Sequence, residues 1–390
     1  MKIILILAVI TAVLADKVTK EYVHSNNEFA INLLGEVGKD HRKNVVFSAL
    51  SAETILGLVS LGAKGDTAAE LKKVLQLPSA DEKIKSEFNN VQTEIEQAKS
   101  IEIHSANQVY LADGFQVESE FLKTATEVFR AGVQNVDFNN SADAAAKINA
   151  WVEEKTQQKI KNLIKVEQLN QLTRMVLVNA LYFSGRWESP FDLHDTKKGD
   201  FHVSKDETVQ VDVMQVTANL LVHKMNKYNV TFLRLPYSGT NDRAVLTIAV
   251  PHDIDALEHT HKHLKSSVLE MKYKREYVKL FLPKFRVETT LDLKEILKNM
   301  GITTLFSKPD LSGITKEDVN VAAITQKVFV DVNEHGTEAA AATAAISNTR
   351  ILSEPKAIAG EYHIDRPFFF SVQYDNVALI TGRVINPLLG

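Results

Sequence analysis

The 390-residue chain contains no cysteine. No disulfide can crosslink it in an oxidising compartment, no thiol can serve as a nucleophile, and no thiolate can complete a metal site. Proline (9) and glycine (16) are few. No Pro/Gly/Ser-rich linker, composition shift or internal repeat divides the chain, so one large domain is favoured over two or three small ones. There is no basic excess: the formal charge is -4, with 45% hydrophobic and 24% charged residues, values of an ordinary globular protein that do not point to nucleic acid. No apolar run approaches the roughly 20 residues that cross a bilayer as a helix. Also missing are a GxSxG elbow, an HExxH pair, a P-loop and a dinucleotide fingerprint. An enzyme is disfavoured, and no catalytic residue, metal or cofactor is assigned.

Residues 1–15 combine a basic start at Lys2, an apolar stretch from Ile3 to Val13 and small residues at Val13 and Ala15. That is the pattern of a secretory leader cut before Asp16, and about 12 apolar residues are too few for an anchor. The expected mature chain, 16–390, is secreted, soluble and long enough to be stabilised by its core alone. Asn139 (NNS) and Asn229 (NVT) are glycosylation sequons.

The most informative stretch runs from Glu334 to Ile351, EHGTEAAAATAAISNTRI. Propensity alone would make its alanines a helix. Instead a strand-like segment, Val328 to Val332, leads into them through Gly336, and the chain then reaches Pro355 without a packed helix's apolar repeat. An exposed connector fits better. Were it to become a central strand, Thr337, Ala339, Ala341 and Thr343 would share one face, all small enough for a packed interior. Glu338, of opposite phase, could stay in water.

Here the chain resembles the serpins. Their hinge reads glutamate, any residue, glycine, threonine or serine, glutamate, then small residues ending in threonine, matched by Glu334, Gly336, Thr337, Glu338, Ala339, Ala340, Ala341, Ala342 and Thr343. In inhibitory members the scissile bond lies after the residue sixteen positions beyond the first glutamate, which is Arg350, followed by Ile351. Other matching segments are NVVFSALS (Asn44 to Ser51, with Ala49 in place of the usual proline), Asn149 to Ile160, NALYFSGRWESPF (Asn179 to Phe191), Pro283 with Lys284, and YHIDRPFFFSV (Tyr362 to Val372). The resemblance covers nearly everything from Tyr22 onward. It implies an α+β fold: a single large domain with three β-sheets, about nine helices and an exposed reactive-centre loop at about 334–355.

By the same resemblance, Ser48, Ser51, Asn179, Trp187, Lys284 and Gln326 belong to the region where the central sheet opens, with Lys284 pairing with Glu334. Gln326 departs from the family, which often has histidine there. On local evidence Ser51 could equally be a helix cap. The implied function is an antitrypsin-like inhibitor of inhibitory type, a monomer whose partner is a trypsin-like serine protease, since Arg350 suits a primary pocket with a carboxylate. A non-inhibitory carrier, storage protein or chaperone is the alternative; such members often have bulky or charged hinges. The helix over Asp81 to Lys99 has balanced charge, so no clear polyanion site is expected, and Lys272, Lys274 and Arg275 read as a solvated strand edge. His252, His259, His261 and His263 read as a polar surface turn rather than a metal site.

Overall fold

The computed structural model describes residues 18–263, 271–337 and 357–389. The proposed leader, the hinge from Glu338 to Thr343 and the bond Arg350–Ile351 lie outside them. Eight α-helices are found among the described residues: α1 Lys20–Val37, α2 Ala49–Gly62, α3 Gly65–Val74, α4 Asp81–Glu96, α5 Ser119–Glu127, α6 Ser141–Lys155, α7 Leu257–His263 and α8 Leu293–Met300. The strands are β1 Val45–Phe47, β2 Ile101–Ala112, β3 Gly132–Val136, β4 Met175–Arg186, β5 Lys197–His202, β6 Thr208–Met225, β7 Val230–Pro236, β8 Ala244–Pro251, β9 Lys274–Pro283, β10 Phe285–Asp292, β11 Val321–Val332, β12 Gly336–Thr337, β13 Glu361–His363, β14 Phe368–Tyr374 and β15 Val377–Val384.

One sheet has six strands in the order β10-β11-β12-β4-β2-β3. The other nine strands form the path β1-β15-β14-β8-β7-β6-β9-β13, with β5 added on β6. Within this path the 18-residue β6 changes partners. Its end, Leu221–Met225, pairs with β7, whereas Val213–Val222 pairs with β9 and Thr208–Val213 with β5. Two strand groups are thereby joined through β6, and with the six-stranded sheet they make the three sheets of the fold.

β4 explains how the central sheet is held. Its run MVLVNALYF has no polar alternation because both faces are covered. Met175, Leu177, Leu181 and Phe183 enter the main core, while Val176, Val178 and Ala180 pack with Ile148 and Val152 of α6 in a second, smaller core. Beneath the sheet, α2 is apolar nearly all round and buried along almost its whole length, as a helix inside a large core must be.

Local chemistry sets several element ends. α6 is capped by Asn140, whose side chain accepts the Asp143 N–H. The alternating run YVKLFLPKF, Tyr277 to Phe285, is divided between two strands. β9 stops at Pro283, and Lys284 turns the chain into β10 of the other sheet. Proline has no N–H to extend the ladder, so the break falls there. The mixed-charge helix closes at Glu96 instead of Lys99.

Candidate functional site

β4 and β11 run parallel and pair directly from Met175 with Val321 to Leu181 with Val328. Past that point they part, and β12 occupies the gap. Gly336 pairs with Arg186, and Thr337 pairs with Gly185 on one side and Val332 on the other. The two strands meet here more closely than a side chain would allow: a Cβ on Gly336 would lie 1.9 Å from the Gly185 carbonyl oxygen. Thus Gly336 is required by close backbone approach.

The residues leading to β12 are tied down individually. Trp187 N–H donates to the His335 carbonyl at 3.0 Å, and its indole N–H donates to the Asn333 carbonyl at 2.9 Å. Phe191 N–H donates to the Glu334 carbonyl at 3.0 Å. The Glu334 carboxylate accepts the Thr196 hydroxyl at 2.9 Å and lies 3.0 Å from Lys284 Nζ. Burial works to raise the pKa of Glu334, but the hydrogen bonds from Lys284 and Thr196 outweigh it and hold the carboxyl below its usual value.

A second cluster lies roughly six residues further along β4, where β4 and β11 pair directly. Asn107 of β2, Asn179 of β4 and Gln326 of β11 form one rung across three strands. The Gln326 amide donates to Asn179 Oδ1 at 2.6 Å and to the Ser48 carbonyl at 2.9 Å, and accepts the Ser48 N–H at 2.9 Å. Asn179 donates to Ser51 Oγ at 2.7 Å and Asn107 Oδ1 at 2.6 Å. Ser48 and Ser51 divide their labour. The Ser48 hydroxyl caps α2 by accepting the Ser51 N–H at 3.1 Å, so the cap is not Ser51, whose hydroxyl instead donates to Asn107 at 3.1 Å. Every member of the rung is at least 97% buried, and at that depth its polar atoms need these partners.

The expected opening residues therefore fall into two groups. Ser48, Ser51, Asn179 and Gln326 meet where β4 and β11 are still joined directly, whereas Trp187, Lys284 and Glu334 gather at the gap itself, around Gly336 and Thr337. Two members had no sequence signal. Asn107 looked like any polar residue in a strand, and Tyr237, whose hydroxyl lies 2.6 Å from Thr337 Oγ1, is a hundred residues away in the chain.

The sequons are both exposed: Asn139 shares its amide with Asp137, and Asn229 sits in a left-handed turn at φ 50°. Lys274 and Arg275 are paired with Glu276 and Asp242. Among the described residues, no group of three or more His, Asp or Glu side chains is arranged to hold a metal ion, and no helix is long and apolar enough to cross a membrane.

Comparison with known proteins agrees with this geometry. The family model described as Serpin (serine protease inhibitor) matches residues 24–387. The chain is 37% identical to alaserpin of Manduca sexta over 375 residues and 34% identical to antitrypsin of Bombyx mori over 372, in each case covering 93% of both chains. Its fold is similar to the crystal structure of Serpin48 from the insect Tenebrio molitor, with a TM-score of 0.86 and 38% identity over 94% of this chain and 98% of that one. Relatives named as protease inhibitors, rather than enzymes, match 93% of it. The chain belongs to the serpin family of serine protease inhibitors.

Proposed function

We propose that this protein is a secreted suicide-substrate inhibitor of trypsin-like serine proteases, cleaved at Arg350–Ile351 and trapping its target by inserting the loop, about 334–355, between β4 and β11. The observation that carries the reading is β12, two hinge residues already seated in the gap, with Thr337 paired on both sides. The protease serine attacks the Arg350 carbonyl, an acyl ester forms, and the amine of Ile351 leaves. The loop, now free at one end, continues the strand that β12 begins.

The register supports this path. Each residue added beyond Thr337 steps one residue back along β4 from Gly185 and along β11 from Val332. Six steps would bring Thr343 between Asn179 and Gln326, the polar rung. Ala339 and Ala341 would face the main core on the way, where only small side chains avoid overpacking. Thirteen steps would bring Arg350 level with Leu172, beyond the start of β4 at Met175. At roughly 3.3 Å per residue the tethered protease would travel about 43 Å. Pulled against the far end of the sheet, its active site would lose alignment, and loss of one oxyanion contact alone slows deacylation roughly 100- to 1000-fold.

The arginine supports a trypsin-like target, and one relative is named antitrypsin. A leader at 1–15, a mature monomer 16–390 and use of Asn139 and Asn229 complete the reading. Replacing Arg350 by alanine tests it: trypsin inhibition is expected to vanish, and unchanged inhibition would rule out Arg350 as the site of attack.

A further inference from the structure

Tyr237 follows β7 and is 1% exposed, and its phenol oxygen lies 2.6 Å from the hydroxyl of Thr337, which is fully buried. The ring cannot swing away. It stacks on Trp187 at 4.8 Å and 17°, meets Phe183 edge-on at 5.0 Å, and passes over Gly185, where a Cβ would stand 2.7 Å from Tyr237 Cδ1. Trp187 in turn holds the start of the hinge through the carbonyls of Asn333 and His335. Burial raises the Tyr237 pKa, so its hydroxyl keeps its proton. Thr337, opposite Gly185, points to the same side of the sheet as this aromatic shelf.

We propose that Tyr237 is a positioning residue for loop insertion, a seat that holds Thr337 in the first rung of the gap before any bond is cut. The inference rests on the inhibitory reading above and adds to it. After acylation two fates compete, insertion and hydrolysis of the ester. The first rung of a new strand orders the backbone for little return, whereas later residues add in register. A chain seated beforehand starts past that step, so the seat sets the fraction of encounters that end in a trapped protease. One buried hydrogen bond is a factor of roughly 2 to 10 in such a partition.

The test uses the full-length protein and the variants Tyr237→Phe, which keeps the ring stack, Thr337→Val, which keeps the shape, the double variant, and Thr337→Ser, which keeps the hydroxyl. Two readouts are taken: moles of inhibitor consumed per mole of trypsin trapped, and deuterium exchange of segment 333–337 in the uncleaved protein. Each single variant is expected to raise consumption roughly 2- to 10-fold and to speed exchange. The double variant should be no worse than either single one, and Thr337→Ser should match the parent. A merely structural role for Tyr237 would lower the melting temperature and leave the partition alone. Unprotected exchange of 333–337 in the parent, multiplying effects in the double variant, or parental consumption in Tyr237→Phe would overturn the proposal. If the parent traps no trypsin at all, the inhibitory reading falls, and the exchange data alone decide whether Thr337 is seated.

Discussion

Lys284 Nζ stands 3.0 Å from Glu334 Oε2, joining the turn between β9 and β10 to the first residue of the hinge, with the glutamate side chain 4% and the lysine 38% exposed. The two ends of this pair are unequal: Lys284 can turn to water, but Glu334 cannot. Lys284→Ala would leave a buried carboxylate with Thr196 as its remaining side-chain donor. Breaking a fully buried pair costs about 3–5 kcal/mol, and the wet lysine reduces this to an expected loss of about 1–3 kcal/mol. Thermal melting of the uncleaved protein checks it, and a variant that melts with the parent would show that the pair contributes nothing. Because the folded pKa of Glu334 lies below the unfolded value of 4.5, its contribution is present above pH 4.5 and fades as pH falls through the folded value.

Glu53 should give the opposite pH dependence. It lies within α2, 1% exposed, with the Asn26 amide donating to its carboxylate at 2.7 Å. Burial pushes its pKa up to about 8, against the opposing hydrogen bond from Asn26. The folded protein thus keeps a proton that the unfolded chain releases above about pH 4.5. Stability from this group is complete below that pH and is lost as pH rises through 8, at roughly 1.4 kcal/mol per unit. Glu53→Gln should therefore melt above the parent at pH 7.5, with the gap closing toward pH 4.5. A gap independent of pH would mean that Glu53 is ionised in the fold.

The polar rung predicts a variant that distinguishes the two states of the molecule. On insertion, a strand between Asn179 and Gln326 breaks their 2.6 Å bond, and the hydroxyl of Thr343 is expected to take its place. Thr343→Val should leave the melting temperature of the uncleaved protein unchanged and lower that of the loop-cleaved form by an amount equivalent to about 1–3 kcal/mol, the cost of unsatisfied buried amides. Thr343→Ser should restore it. Equal effects on both forms would show that the register does not continue as drawn.

Gly336 offers a steric test. A methyl group there cannot coexist with the Gly185 carbonyl 1.9 Å away, so Gly336→Ala must withdraw the hinge from the gap or force β4 and β11 further apart. Faster deuterium exchange across 333–337 and weaker protease trapping are expected. Unaltered exchange would mean that the close approach is relieved at no cost.

Some of this could be read from the chain before its structure. The two-faced apolar run of β4 and the stripe of Ile148 and Val152 on α6 are local patterns that declare their burial, and the hinge spacing from Glu334 to Thr343 carried the family resemblance. What stayed hidden was long-range. Tyr237 and Thr337 are a hundred residues apart, and Asn107, Asn179 and Gln326 meet only once three strands are in register. The end of β9 at Pro283 has no signal in the apolar pattern, which alternates straight through the point where the chain changes sheets. Ser48 and Ser51 both sit at a helix start, and only the partners of each hydroxyl tell the cap from the rung member.

The most direct test of trapping by loop insertion mixes the purified mature protein with trypsin, separates the products on a denaturing gel and weighs the small released peptide by mass spectrometry. A covalent adduct that survives denaturant is expected, with a released peptide that begins at Ile351 and a higher melting temperature for loop-cleaved protein as its inserted strand extends between β4 and β11. Complete cleavage with no adduct would contradict it, leaving the loop as a substrate only and favouring the carrier, storage or chaperone alternative.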